Sequence, residues 1–70
     1  MSNFCERLKE LRLNKNITQE QLGLFTKMSC PSIKSYECGY RKPGLDALIA
    51  LADYFNVSLD DLVGRNTPQN

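Results

Sequence analysis

Two helix-capping residues stand close together in the first half of this chain. Thr18 and Ser29, eleven positions apart, both precede helix-competent segments, and each side-chain oxygen can accept a hydrogen bond from a first-turn N–H. Gln21 follows Thr18 at the spacing of a capping box, which predicts a sharply defined helix start. Apolar periodicity lapses at Thr26 and Lys27. The pattern therefore predicts two short helices joined by a turn of three or four residues.

These two helices form the pattern of a helix-turn-helix, in which the second helix projects from the surface. The first should run from Thr18 to about Phe25, and the second should begin at Ser29. Pro31 is tolerated there because a first-turn N–H has no helical acceptor. Ile33 and Tyr36, three residues apart, are predicted on the inner side of the second helix.

Apolar residues at helical spacing predict three more helices. The first helix should start at Ser2 or Asn3, where Asn3 and Glu6 have capping-box spacing, and end near Asn14. Its predicted buried stripe is Phe4, Leu8 and Leu11. The fourth helix opens at Pro43 and Gly44, ends at Asn56, and has a predicted core face of Leu45, Leu48, Ile49, Ala52 and Phe55. A short fifth helix should run from Ser58 to Gly64.

Length and composition predict one small globular domain. The 70 residues are 41% hydrophobic and 24% charged, which is ordinary for a folded chain of one domain. We expect residues 1–64 to form this domain and the polar segment 65–70 to be disordered. The sequence has no long apolar run and no signal-peptide pattern at its start, so we expect a cytoplasmic protein.

Charge is divided unevenly along the chain, although the net charge is only +1. Residues 1–42 hold eight basic and four acidic side chains, a balance of +4, whereas residues 43–70 hold one and four, a balance of −3. A surface of this kind allows one face to meet phosphate while the other does not. A solvated mixed-charge surface would give the same numbers.

The residue types needed for catalysis or metal binding are scarce. Histidine is absent, and Cys5, Cys30 and Cys38 lack the spacing of a zinc site, so we expect reduced, separate thiols and no metal or cofactor. There is no Gly-rich phosphate loop and no set of residues for nucleophilic catalysis. The sequence therefore argues against an enzyme.

Four sequence segments, in the same order along the chain, resemble those of a known protein family. The segments TQEQL, SCPSIKSYE, CGYRKP and LDALIALADYFNVSLDDL closely resemble the lambda-repressor-like helix-turn-helix family, also called the Cro, phage-repressor or Xre type. The resemblance runs from about Arg7 to Leu62. It implies an all-α, compact five-helix DNA-binding domain whose second and third helices form the helix-turn-helix. Gly23 matches a small-residue position at which helices of this fold approach closely.

The resemblance also implies which residues would contact DNA. Base edges in the major groove would be read by Cys30, Pro31 and Lys34. Contacts to the DNA backbone would come from Gln19, Ser29, Ser32, Ser35, Tyr40, Arg41 and Lys42. Cys30 and Pro31 are unusual at these places, Cys38 replaces a common asparagine, and Leu24 and Phe25 stand where polar residues are usual. Arg12 would form a structural ion pair with Glu37.

The function implied is that of a transcriptional regulator, most simply a repressor, that binds a palindromic operator of double-stranded DNA as a homodimer. Candidates for the dimer interface are Tyr54, Leu59, Leu62 and Val63, which could equally complete the monomer core. The alternative is a protein-interaction module, antitoxin-like or adaptor, with weak or generic DNA binding. A further hypothesis is that oxidation of the Cys30 thiol, in the first turn of a helix next to DNA, releases the DNA.

Overall fold

The computed structural model describes residues 4–63, which form five α-helices and contain no strand. The helices are α1 (Phe4–Asn14), α2 (Gln19–Thr26), α3 (Cys30–Cys38), α4 (Leu45–Phe55) and α5 (Leu59–Leu62). The predicted all-α fold is therefore confirmed. The predicted start of α1 with its Asn3–Glu6 capping box, the end of α5 at Gly64 and the tail 65–70 lie outside the described residues.

Each helix contributes one fully buried aliphatic side chain to a single core. These residues are Leu8, Leu22, Ile33, Leu51 and Leu62, all with 0% exposure. Tyr36, Ala52 and Phe55 complete the buried cluster, and Phe4 and Leu11 pack against it from α1. Because even the four-residue α5 places Leu62 in the centre, all five helices share one hydrophobic core.

Side-chain caps fix the starts of α2, α3 and α5. Thr18 Oγ1 accepts a hydrogen bond from the N–H of Gln21 at 3.0 Å, and Gln21 Oε1 accepts one from the N–H of Thr18 at 2.9 Å. The capping box at α2 is thereby confirmed. Ser29 and Ser58 cap α3 and α5 with one bond each: Ser29 Oγ accepts from Ser32 N at 3.2 Å, and Ser58 Oγ accepts from Asp61 N at 3.0 Å.

The buried face of α4 differs from the predicted one. Leu45 is 65% exposed and Ile49 is 42% exposed, so assigning them to the core was wrong. The sequence permits two overlapping apolar stripes, and the helix buries the one that contains Leu51, Ala52 and Phe55. Ile49 lies about 100° around the helix from Leu48 and therefore faces away from that stripe.

Candidate nucleic-acid interface

The turn between α2 and α3 depends on a close backbone contact between Gly23 and Met28. Gly23 O accepts a hydrogen bond from Met28 N at 2.7 Å, and a Cβ atom on Gly23 would lie only 2.6 Å from Met28 O. Only glycine fits this approach without a backbone shift. Lys27 ends α2 in the left-handed conformation with φ of 60°, which reverses the chain toward Ser29. The prediction of a small-residue contact at Gly23 is confirmed.

The α3 helix has one face in the core and one toward solvent. Ile33 and Tyr36 point inward, and the rings of Tyr36 and Phe4 form a T-shaped pair with their centroids 6.3 Å apart. Pro31 and Lys34 are exposed on the opposite side. The structure thus leaves a projecting helix with a proline and a cation on its outer surface.

Small polar side chains surround this outer face of α3. Ser29 is exposed, and its hydroxyl donates to Ser32 Oγ at 2.8 Å while accepting from the Ser32 N–H. Cys30, Ser32 and Ser35 are partly exposed. Cys30 lies in the first turn, and Cys5, Cys30 and Cys38 are all free thiols. The predicted contact residues of α3 therefore share one accessible surface, with Ser35 nearest the loop that follows.

Charged hydrogen bonds beneath α3 fix its orientation. Arg12 Nε donates to Glu37 Oε2 at 2.7 Å, and Arg12 Nη2 donates to Glu37 Oε1 at 3.1 Å. The third donor of the guanidinium, Nη1, reaches the carbonyl of Ile17 at 2.9 Å. The side chains of Arg12 and Glu37 are 11% and 3% exposed. This bidentate geometry joins the end of α1 to the end of α3.

Gln19 belongs to the same network. Its Nε2 donates to Glu37 Oε1 at 3.1 Å, which links the first turn of α2 to α3. A carboxamide nitrogen carries two protons, so the second can donate to a group outside the protein. The structure thus gives Gln19 a bracing contact on one side and leaves a donor for another partner.

The loop after α3 carries the predicted backbone contacts Tyr40, Arg41 and Lys42, all exposed. Gly39 ends α3 with φ of 84°, a left-handed conformation that favours glycine. Tyr40 N then donates to Ser35 O at 3.0 Å. The guanidinium carbon of Arg41 lies 5.9 Å from the centroid of the Tyr36 ring, a cation–π distance. The core aromatic ring therefore helps to hold a cation of this loop beside α3.

A second arginine network lies away from α3 and was not predicted. Arg7 Nη2 donates to both carboxylate oxygens of Asp61 at 3.2 and 3.0 Å, and Arg7 Nε donates to the Asp61 carbonyl at 3.4 Å. Arg7 Nη1 also donates to Glu10 at 2.7 Å. Hydrogen bonds to Glu10 and then to Asp61 raise the pKa of Arg7 above its ordinary value. The network attaches α5 to α1.

The predicted dimer residues fall into different environments. Leu62 is completely buried, so of the two roles left open for it the structure selects the monomer core. Leu59 is exposed, and Val63 is partly exposed. Tyr54 stacks on Phe25 with centroids 5.6 Å apart and receives the Lys15 ammonium at 5.3 Å from its ring centroid. Tyr54 thus belongs to a partly exposed aromatic contact between α2 and α4.

Among residues 4–63, no group of acidic, cysteine or histidine side chains is arranged to hold a metal ion. Over the same residues, no helix has the length and apolarity required to cross a membrane.

A helix-turn-helix family model matches residues 8–62, which is most of the chain. This protein belongs to that family. The transcriptional regulator AnsR of Bacillus subtilis is 40% identical over 60 residues, covering 86% of this chain and 52% of its own. The phage CTXphi transcriptional repressor RstR of Vibrio cholerae is 38% identical over 60 residues, covering 86% of this chain and 54% of its own. The chain spans about half the length of both relatives.

A solved structure extends the similarity to three dimensions. The P22 c2 repressor protein, crystallised in complex with synthetic operator 9T, superposes with a TM-score of 0.87 at 26% identity. The match covers 94% of this chain and 100% of the P22 chain. The lambda-repressor-like arrangement implied by the sequence motifs is thereby confirmed.

Proposed function

We propose that this protein is a transcriptional regulator, most simply a repressor, that recognises a specific operator by placing α3 in the major groove of double-stranded DNA. The observation that carries the proposal is the two-sided α3 helix. Its inner residues Ile33 and Tyr36 are packed in the core and Glu37 is held by Arg12, while Lys34 stays exposed. Relatives named as transcriptional regulators, and the operator complex of the P22 repressor, support the same function.

Direct base contacts are assigned to the outer face of α3. The Lys34 ammonium can donate to guanine O6 and N7, which contributes about 1 to 3 kcal/mol of discrimination against a wrong base. Pro31 and Cys30 offer apolar contact to a thymine methyl group. A half-site containing both guanine and thymine fits this combination.

Contacts to phosphate come from residues on both sides of α3. The serine hydroxyls of Ser29, Ser32 and Ser35 and the second amide proton of Gln19 supply neutral donors. Tyr40, Arg41 and Lys42 supply a phenol and two cations from the adjoining loop. These groups set the position of α3 on the duplex without reading its sequence.

A homodimer would bind a palindromic operator with half-sites about 34 to 36 Å apart, one helical turn. Leu59 and Val63 at α5 remain candidates for its interface, with Tyr54 at the end of α4. We propose that residues 1–64 act as one DNA-binding domain, in the cytoplasm, by binding and not by catalysis.

Selection of bound sequences from a random duplex pool at near-physiological salt tests the proposal, followed by gel-shift titration of the selected sequence. We expect a palindromic consensus with half-sites one turn apart. Lys34→Ala should relax the preference at one base pair of each half-site. Arg41→Ala should weaken all sequences alike and reduce the salt-dependence slope by about 1 per bound subunit. Lys9→Ala, which removes an exposed cation on α1, is the matched control and should change neither property.

The alternative of a protein-interaction module receives support from one observation. Leu24 and Phe25 are exposed large apolar residues on α2, and Phe25 stacks on Tyr54. If no sequence is enriched and binding is undetectable even at low salt, this alternative replaces the regulator. Binding without sequence preference but with a steep salt dependence would indicate generic DNA affinity.

A further inference from the structure

A groove opens to solvent where α1, α4 and the loop after α3 meet. Its volume is about 380 Å³, within the range of small-molecule sites. Apolar atoms line most of it, contributed by the Phe4 ring, the Leu48 and Val63 side chains and the Pro43 ring. Since water gains little by hydrating such a surface, a hydrocarbon body would bind there favourably.

Gly39 and Cys5 are neighbouring parts of the lining of this groove. Gly39 has φ of 84° and carries no side chain, and a Cβ atom at this position would lie 3.4 Å from Cys5 Sγ. Any larger residue would be strained and would occupy the space between the thiol and the turn. A side chain at position 39 would therefore crowd the groove next to the Cys5 thiol.

The charge at the groove has one sign. Arg41 and Lys42 both line it, and no carboxylate does so among the described residues. Arg41 is held beside the groove by its cation–π contact with Tyr36. An apolar surface next to two adjacent cations is complementary to a molecule with a hydrocarbon body and one negative group.

We propose that this groove binds a small monocarboxylate whose hydrocarbon part contacts Phe4, Leu48 and Val63 and whose carboxylate pairs with Arg41 and Lys42. The same two cations are the proposed phosphate contacts of the loop. Occupancy would therefore compete with the DNA backbone and release the operator. Only this competition rests on the proposed function, since the binding itself requires no DNA.

Binding is tested first on the full chain without DNA, using octanoate as the probe and octan-1-ol as its uncharged counterpart. Titration of ¹⁵N-labelled protein should shift the amide signals of Cys5, Gly39, Lys42 and Leu48. The alcohol should bind about tenfold more weakly, because it lacks the interaction with the two exposed cations Arg41 and Lys42. Equal binding of the alcohol, or shifts centred on Phe25 and Tyr54 instead, would overturn the proposal.

Two pairs of variants localise the site. Cys5→Met places a longer side chain in the lining of the groove and should abolish the octanoate shifts, whereas Cys38→Met, the same change at an exposed thiol outside the groove, should not. Lys42→Glu should weaken octanoate about tenfold, since it replaces an attraction with a repulsion, and Lys9→Glu should not. Melting temperatures establish that each variant is folded. If both members of either pair behave alike, the groove is not the site.

The competition is measured separately, on the complex with the selected operator. Octanoate should raise the apparent Kd for the operator with the wild-type protein and leave it unchanged with Cys5→Met. If no operator exists, the proposed function fails while the DNA-free titration still decides the groove. If octanoate binds in the groove and the operator stays bound, the competition is wrong.

Discussion

Two arginine–carboxylate pairs connect distant parts of this chain, and they differ in how far solvent reaches them. Arg12 and Glu37 join α1 to α3 with side chains 11% and 3% exposed, whereas Arg7 and Asp61 join α1 to α5 with side chains 24% and 26% exposed. The Glu37 carboxylate accepts from two guanidinium nitrogens of Arg12, whereas both oxygens of the Asp61 carboxylate accept from the single nitrogen Nη2 of Arg7. The same kind of ion pair thus occurs once almost completely buried, at Arg12 and Glu37, and once partly exposed to solvent, at Arg7 and Asp61.

This difference in exposure indicates that the two ion pairs differ in how strongly they stabilise the helices that they attach to α1. A charge removed from water is costly when it loses its partner, because neither solvent nor another group replaces the lost interaction. An exposed charge is rehydrated when its partner is lost. The orientation of α3, which would read DNA, should therefore depend far more on its ion pair than the attachment of α5 does on its own.

The largest effect is expected for Arg12→Ala. Leaving Glu37 without its guanidinium should cost about 3 to 5 kcal/mol in the free energy of unfolding. A domain of this length has about 4 to 10 kcal/mol in total, so the variant should be largely unfolded at modest temperature. Thermal unfolding followed by circular dichroism measures this. An unchanged melting temperature would show that the pair does not act as a buried charge pair.

The double variant Arg12→Ala/Glu37→Ala sharpens the test. Removing both charges deletes the unpaired carboxylate, so the double variant should be more stable than Arg12→Ala alone. Simple addition of the two single effects would instead indicate that the residues act through unrelated contacts.

The sequence predicted one of these two ion pairs and not the other, because only one of them has a recognisable sequence signal. Helix capping depends on neighbouring residues, so Thr18, Ser29 and Ser58 predicted three helix starts. The ion pair of Arg12 with Glu37 was predicted from the resemblance to a family. Arg7 and Asp61 lie 54 positions apart and have no local signature. Their contact follows from the burial of the next residues, Leu8 and Leu62, which brings α1 and α5 together.

The same limit explains the error at α4 and the role of Leu62 that the sequence left open. Alternation of leucine, isoleucine and alanine over residues 45–55 is compatible with two faces, and only packing against the other helices selects the one with Leu51. Leu62 was ambiguous between core and interface because a four-residue helix has too few turns to define a face. The contacts of Lys34, Arg41 and the serines with DNA stay predictions.

A smaller effect is expected for Arg7→Ala. The pair is partly solvated, so its loss should cost about 1 kcal/mol, even with the additional bonds to Glu10 and the Asp61 carbonyl. For a domain of this size that lowers the melting temperature by about 4 to 8 °C. Lys9→Ala, at an exposed position of the same helix, should produce no measurable change. A loss as large as that of Arg12→Ala would remove the contrast between the two pairs.

Gln19→Ala tests whether the α3 network matters for recognition beyond stability. The hydrogen bond from Gln19 to Glu37 should contribute about 0.5 to 1.5 kcal/mol. Gln21→Ala is the matched control, because it breaks the capping box of the same helix and leaves Glu37 untouched. With similar melting temperatures, only Gln19→Ala should weaken operator binding. If both variants bind the operator equally well, the hydrogen bond from Gln19 to Glu37 contributes to stability only and not to DNA binding.

The smallest expected effect is that of salt on the stability losses caused by Arg7→Ala and Arg12→Ala. At 1 M ionic strength the Debye length is about 3 Å, which screens charges that water can reach. The stability difference between wild type and Arg7→Ala should then shrink by a few tenths of a kcal/mol. The difference for Arg12→Ala should persist, because the side chain of Glu37 is 3% exposed and ions cannot approach it. Urea titrations at low and high sodium chloride measure both differences, and equal shrinkage would mean that both pairs are open to solvent.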